Sequence, residues 1–267
     1  MQYIPVTDDQ ERKMLAEIGV VSFEDLVKII PDGLRWSKTM GLEPGLSEME
    51  LETETTAIAA KNKAAGNSAC FLGGGVYDHY IPKIVDFISG RSEFYTAYTP
   101  YQAEVSQGTL QVMYEFQSMI CALSAMDVSN ASLYDGGSAL AEACSMALAL
   151  TRKKKILISE TVNPRFIEVT RTYLQNRDTE IILLPSVKGL TDLKAAEPHL
   201  EEAAALVIQS PNYLGILEDW IPAKEILSDN QKCLLVGVSD PISLSIICPP
   251  GACGADIFVG EGQVLGN

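Results

Sequence analysis

Three short loops of the sequence carry residue types that can bind a charged or polar ligand. The first is the turn that contains Asp135, Gly136 and Ser138, directly before an alanine-rich segment. Small residues at the start of a helix leave backbone N–H groups free to hold an anion. This turn predicts a phosphate cradle, and the alternative is an ordinary capped helix with a tight entry turn.

The other two loops each follow a run of apolar residues. Asn212 lies in one loop and Asp240 in the next, 240 − 212 = 28 residues later, which suits one β-α-β unit. Asn212 could donate a hydrogen bond to an oxygen on a ligand ring, or it could be a turn residue. Asp240 could pair with a protonated ring nitrogen, or it could cap a helix that begins at Pro241.

The elements that position these loops differ between the two halves of the chain. The first half has helical capping signals, such as Thr7 with Gln10 and Ser47 with Glu50. Beyond Lys153, short apolar strands alternate with helices, which predicts an α/β fold with a mostly parallel sheet and helices on both faces. Ligand loops then lie at the carboxyl ends of the strands. The predicted strands are 155–159, 180–184, 205–209, 233–238 and 256–259, and the predicted helices are 108–126, 138–151, 165–175, 198–203 and 223–227.

Composition narrows the classes of function. The 267 residues carry 20 Lys and Arg against 35 Asp and Glu, which gives a formal net charge of −15. A chain this acidic repels phosphate backbones and anionic membranes, so we expect neither nucleic acid nor a membrane as partner. The first residues lack the basic and apolar pattern of a signal peptide, which favours a cytoplasmic protein. Six cysteines without a C-x-x-C pair, and only two histidines, predict no metal centre.

Taken in order along the chain, these loops resemble the large domain of fold-type I pyridoxal-phosphate (PLP) enzymes. In that fold a Gly/Ser turn holds the cofactor phosphate, an Asn meets the ring oxygen and an Asp meets the ring nitrogen. A later lysine forms the Schiff base through which the cofactor acts as an electron sink. This sequence has no lysine after Lys232, and Gln263 and Val264 stand where the family's His-Lys pair is expected.

A more specific resemblance is to the α subunits of the split glycine cleavage system P-protein, called glycine dehydrogenase (decarboxylating) subunit 1. The likeness covers all 267 residues, with a departure at Gly137 and Ser138, where the family more often has Ala-Thr. The family's subunit continues into a small C-terminal domain. The resemblance therefore implies a helical arm over 1–70 and a large domain over 71–267 that is incomplete at its C-terminus. The stretches that carry the resemblance are 3–5, 71–73, 91–111, 128–136, 211–212, 240–244 and 260–263.

The resemblance also implies a division of labour between two subunits. The β subunit, glycine dehydrogenase subunit 2, binds PLP covalently and decarboxylates glycine, and the aminomethyl group passes to the lipoyl arm of H-protein. The α subunit pairs with β, as an αβ heterodimer or a dimer of it, and completes the active site or scaffold without being catalytic alone. Five residues of this chain then form a vestigial cofactor pocket, namely Asp135, Gly136, Ser138, Asn212 and Asp240.

A polar and aromatic block is the part of this chain predicted to complete the partner's active site. Tyrosine combines a rigid apolar face with a hydroxyl group, which suits the lining of a pocket at an interface. The alternative is that these side chains only pack the subunit contact. The predicted interface residues are Tyr95, Tyr98, Thr99, Tyr101, Gln102 and Gln107.

Two other hypotheses stay open. The chain could be an autonomous PLP enzyme that uses Lys153, Lys154 or Lys155, although these lysines begin a predicted strand whereas ligand loops follow strand ends. It could also be a non-catalytic α/β binding or scaffold protein with another partner, since a fold does not determine a function.

Overall fold

A computed structural model describes residues 6–36, 38, 41–64, 66, 68–75, 78–95, 98–227 and 232–266. The chain divides into two compact units, Met1–Phe71 and Leu72–Asn267. The interpretation of residues 1–70 as an arm of the large domain stays a prediction.

The described part of the first unit is helical. Its α-helices are α1 (Asp8–Ile18), α2 (Phe23–Leu26) and α3 (Glu48–Ala59). Both capping boxes expected from the sequence are confirmed: the N–H of Thr7 donates to Gln10 Oε1 at 2.9 Å, and the N–H of Ser47 donates to Glu50 Oε2 at 2.9 Å. Each box satisfies backbone donors that a helix start would otherwise leave unpaired.

The second unit begins with a helical segment. Its α-helices are α4 (Lys83–Ser89), α5 (Ser92–Tyr95) and α6 (Gln107–Ser124). The predicted helix 108–126 is confirmed as α6, which ends where Ala125 adopts a left-handed φ of +57°. The end of α6 is held by a hydrogen bond from Gly251 N to Ser124 O at 3.0 Å. A side chain at position 251 would collide with the backbone at Ala125, so this close approach requires glycine.

The rest of the second unit is built on a parallel sheet. Its elements are α7 (Gly136–Thr151), β1 (Lys155–Ser159), α8 (Pro164–Leu174), β2 (Glu180–Leu184), β3 (Ser186–Val187), β4 (Leu190–Thr191), β5 (Ala203–Gln209), α9 (Trp220–Glu225), β6 (Leu234–Ser239) and β7 (Ile257–Gly260). The main sheet has the order β2-β1-β5-β6-β7, and all its neighbouring strands are parallel. The predicted α/β class is therefore confirmed. β3 and β4 form a small antiparallel hairpin that the sequence did not predict.

One predicted element is wrong. Residues 198–203 were expected to form a helix, but the chain makes only a 3-10 turn at Glu197–His199 and enters β5 at Ala203. Ala203 already pairs with Lys155 of β1. Because β5 begins at Ala203, only residues 198–202 remain before it, which is little more than one turn of an α-helix.

Alternation along the strands builds an apolar core on each face of the sheet. Ile156 and Ile158 of β1 pack in one cluster with Leu140 of α7. Leu157, which lies between them, points to the other face and packs in a second cluster with Trp220 of α9. All three β1 side chains have an exposed fraction of 0%. Helices thus cover both faces, and the loops after the strands are left at the carboxyl edge.

Candidate functional site

The candidate site is the carboxyl edge of the sheet. Asn212 follows β5, Asp240 follows β6 and Glu261 follows β7, and these strands are parallel neighbours. Their loops therefore lie at one edge, together with the N-terminus of α7, which packs against β5 and β7. This is the edge at which open α/β sheets bind ligands.

The turn before α7 is a capped helix start. The Asp135 carboxylate accepts a hydrogen bond from Ser138 N at 2.7 Å, and the Ser138 hydroxyl accepts one from Asp135 N at 3.1 Å. The hydrogen bond from the Ser138 backbone N–H is the main reason why the pKa of Asp135 lies below its usual value. These contacts are the ones expected of the capping alternative for this turn.

Glu261, which the sequence analysis did not select, lies at the same helix start. Gly136 N donates a hydrogen bond to Glu261 Oε2 at 2.9 Å. A Cβ atom at position 136 would come within 2.6 Å of this carboxylate oxygen and would also collide with the Phe166 ring. The space before the helix is therefore filled. Gly136 and Glu261 are separated by 125 positions, and no local pattern in the sequence could have linked them.

Asn212 is buried, and its side-chain amide is engaged within its own loop and with its neighbours. Its Nδ2 donates to Gly189 O at 2.8 Å and to Glu218 Oε1 at 2.9 Å. Its Oδ1 accepts from Leu214 N at 3.0 Å and from Ile216 N at 3.1 Å. A primary amide can make four such bonds, so the side chain has no capacity left for a ligand.

Glu218 is the centre of the polar network that holds Asn212. Its carboxylate accepts hydrogen bonds from the hydroxyls of Thr161 and Thr191, both at 3.0 Å. The Thr191 Oγ1 and Ser159 Oγ atoms are also within hydrogen-bond distance, 2.7 Å apart. The network joins the end of β1, the hairpin and the loop after β5. Sequence analysis missed Glu218 because its partners are distant in the chain.

Asp240 is half-buried and stabilises its own turn. Its Oδ1 accepts a hydrogen bond from Ile242 N at 2.9 Å. The following residues form the 3-10 turn Ser243–Ser245, with Ser243 Oγ donating to the Asp240 backbone oxygen at 2.6 Å. These contacts are the ones expected if Asp240 caps the turn that follows it.

Taken together, these contacts do not fit bound PLP. The phosphate position at the start of α7 holds the Glu261 carboxylate, and the Asn212 amide is saturated by protein groups. Val264, which the resemblance places at the Schiff-base lysine, is apolar and buried. An aliphatic side chain cannot form an imine, so this edge of the sheet does not carry PLP chemistry.

The polar and aromatic block lies elsewhere and is open to solvent. Tyr95, Tyr98 and Tyr101 have exposed fractions of 81%, 84% and 85%. Thr99, Gln102 and Gln107 are exposed as well. The block joins α5 to α6, and residues 96 and 97 within it lie outside the described residues.

Among the described residues, no helix is both long enough and apolar enough to cross a membrane. In the same residues, His, Cys, Asp and Glu side chains form no cluster of three or more that could hold a metal ion.

A parallel sheet covered on both faces, with ligand loops at its carboxyl edge, is the architecture of the large domain of the fold-type I PLP enzymes. A solved NifS-like protein from Rickettsia africae matches with a TM-score of 0.53 at 17% identity, over 73% of this chain and 54% of that chain. At this identity the likeness shows the fold alone.

The chain belongs to the glycine cleavage system P-protein family, whose model matches residues 1–267. It is 47% identical over 268 residues to the probable glycine dehydrogenase (decarboxylating) subunit 1 of Geobacillus kaustophilus, covering 99% of this chain and 59% of the relative. The protein of the same description from Carboxydothermus hydrogenoformans is 48% identical, over 100% and 60%. The crystal structure of an inhibitor-bound glycine decarboxylase (P-protein) matches with a TM-score of 0.86 at 43% identity, over 100% of this chain and 59% of that chain. The chain thus spans about three fifths of the length of these relatives.

Proposed function

We propose that this chain acts as subunit 1 of a glycine dehydrogenase (decarboxylating) in the glycine cleavage system, in the cytoplasm. The observation that carries the proposal is membership of the P-protein family across the whole chain, with relatives described as subunit 1. Those relatives are described as subunit 1, which supports a second subunit as partner.

The proposed complex places PLP in the partner, subunit 2, which binds it covalently. There the cofactor supplies an electron sink for the loss of CO2 from glycine, and the aminomethyl group goes to the lipoyl arm of H-protein. Support comes from this chain's own sheet edge, where Glu261 and Asn212 are engaged by protein groups. In this proposal the chain is a subunit of an oxidoreductase and is not catalytic alone.

The proposed contribution of this chain to the shared site is its exposed polar and aromatic block. Tyr95, Tyr98 and Tyr101 present most of their side-chain surface to solvent in a segment that joins two helices. Burying tyrosine rings against a partner releases water from their faces, while the hydroxyls can still donate hydrogen bonds. Thr99, Gln102 and Gln107 would add polar groups at the same interface. Kinetics of the reconstituted complex distinguish a block that lines the pocket from one that only packs the contact.

The experiment is reconstitution with the cognate subunit 2 and lipoylated H-protein. Glycine–bicarbonate exchange is measured for each subunit alone and for the mixture, and size-exclusion chromatography reports the complex. We expect exchange only in the mixture, together with an αβ heterodimer or a dimer of it. Exchange by this chain alone, or a failure of the two subunits to associate, would contradict the proposal.

A further inference from the structure

The start of α7 is closed by an acidic residue from the other end of the fold. We propose that the Glu261 carboxylate is a built-in anion that seals this helix N-terminus against PLP phosphate and other phosphate ligands. This deepens the proposed function, because it states how subunit 1 is kept free of the cofactor. It stands on contacts within this chain and is tested without the partner.

The backbone N–H groups at the start of α7 already interact with acceptors of this chain. Gly136 N donates to Glu261 Oε2 at 2.9 Å, and Ser138 N donates to Asp135 Oδ1 at 2.7 Å. Asp135 N donates to Ser138 Oγ at 3.1 Å, and the Gly137 N–H also interacts with the Asp135 carboxylate. A helix start binds phosphate through these four unpaired N–H groups. Here each of them already has an acceptor.

The space around the first turn is also filled. A Cβ atom on Gly136 would collide with Phe166 and would lie 2.6 Å from Glu261 Oε2. A Cβ atom on Gly137 would lie 3.1 Å from Val169. Glu261 Oε2 accepts from the Gly136 N–H at 2.9 Å, so a phosphate oxygen can reach that N–H only if Glu261 moves away.

The fold holds Glu261 in this position. It is the first residue after β7, and Gly260 pairs with Ser239 of β6 in the sheet. A tethered carboxylate has a high effective concentration at the helix start, so a free anion must compete with it. The carboxylates of Glu261 and Asp135 also repel an incoming phosphate dianion across the same turn.

The test is binding of inorganic phosphate to the full chain and to three variants, followed by 31P NMR and isothermal titration calorimetry. Glu261→Ala removes the carboxylate and opens the space. Glu261→Gln keeps the space filled and removes the charge. Glu225→Ala is the matched control, because it removes one exposed carboxylate from α9, on the opposite face of the sheet.

We expect saturable phosphate binding in the millimolar range by Glu261→Ala, and no saturable binding by the wild type or Glu225→Ala. Glu261→Gln should bind at least tenfold more weakly than Glu261→Ala. Equal binding by Glu261→Ala and the wild type would overturn the proposal, and so would equal binding by Glu261→Ala and Glu225→Ala.

The wild-type chain gives a second test that does not depend on a variant that folds. In 15N-resolved NMR spectra, the Gly136 amide resonance should stay in place when inorganic phosphate is added at tens of millimolar. A saturable shift of this resonance would show that the helix start is open, and would overturn the proposal. Either result leaves the exchange assay with subunit 2 unaffected, so the two proposals fail separately.

Discussion

Two regions of the second unit use apolar and aromatic residues in opposite ways. In the sheet region, Ile156, Leu157 and Ile158 are completely buried between two helical layers. In the segment before it, Tyr98, Tyr101 and Tyr134 have exposed fractions of 84%, 85% and 96%. The apolar side chains of the first region are buried by contacts within this chain. The second region exposes side chains that a partner can cover. In the proposed complex, these side chains would contact the active site of the partner subunit.

The largest effect expected from this comparison is on stability. Leu157→Ala should lower the free energy of unfolding by about 2–5 kcal/mol, because it removes buried methyl groups and leaves a cavity. Tyr101→Ala, at an exposed position, should change it by less than about 0.5 kcal/mol. Urea denaturation followed by circular dichroism measures both. Equal losses for the two variants would break the distinction between the regions.

The reverse pattern is expected for binding of subunit 2. The double variant Tyr98→Ala/Tyr101→Ala should weaken association by about 2 kcal/mol, or roughly 30-fold, without a change in unfolding free energy. Tyr173→Ala is the control, since this tyrosine is also exposed but lies on α8. Calorimetric titration with subunit 2 gives the affinities, and an unchanged affinity in the double variant would remove the block from the interface.

Kinetics of the same double variant separate the two interpretations of the block. If the tyrosines line the partner's pocket, the exchange rate should stay low even when subunit 2 is saturated with the variant. If they only pack the contact, saturation should restore the rate.

A smaller effect is expected at the polar network of the sheet edge. Asn212→Ala should cost about 1–3 kcal/mol in unfolding free energy, because it removes one donor to Glu218 and the acceptor of the Leu214 and Ile216 N–H groups. Asn130→Ala, at an exposed asparagine, should be close to neutral. Combining Asn212→Ala with Glu218→Ala should cost less than the sum of the single variants, since both belong to one network. Additive losses would mean that the two residues act independently.

The smallest effect concerns the pH dependence of the α7 cap. Hydrogen bonds, first of all from Ser138 N–H, hold the pKa of Asp135 below its usual value. A lowered folded-state pKa stabilises the fold above the unfolded-state pKa of about 3.9, and this contribution is lost as the pH falls through the folded-state pKa. Asp135→Asn should therefore be less stable than the wild type at pH 7 by under about 1 kcal/mol.

This difference should shrink below about pH 4 in urea titrations. Asp127→Asn, at an exposed aspartate, is the control and should show no such difference. A gap between Asp135→Asn and the wild type that widened with acid would contradict the sign of the shift.

The fold was predictable where burial and sequence pattern agree. The main strands are short apolar runs, and their predicted bounds lie within two residues of the observed ones. The predicted helix at 198–203 was wrong because the strand begins at Ala203 and leaves little more than one helical turn before it. The hairpin of β3 and β4 was missed because strands of two residues are too short to show a periodic pattern.

The candidate site was predictable only in part. Asp135, Gly136, Ser138, Asn212 and Asp240 could be selected because they follow strands or open a helix. Glu218 and Glu261 could not, because their roles arise from contacts between segments that are distant in the sequence. The proposed role of the tyrosine block depends on the surface of a second polypeptide, which this sequence does not encode.

In the proposed complex the partner subunit binds the cofactor covalently. Borohydride reduction of the chain reconstituted with subunit 2 and PLP, followed by peptide mass mapping, locates the covalently attached pyridoxyl group. We predict the label on a lysine of subunit 2 and none on this chain. A pyridoxyl group on Lys153, Lys154 or Lys155, or on any other lysine of this chain, would contradict the account.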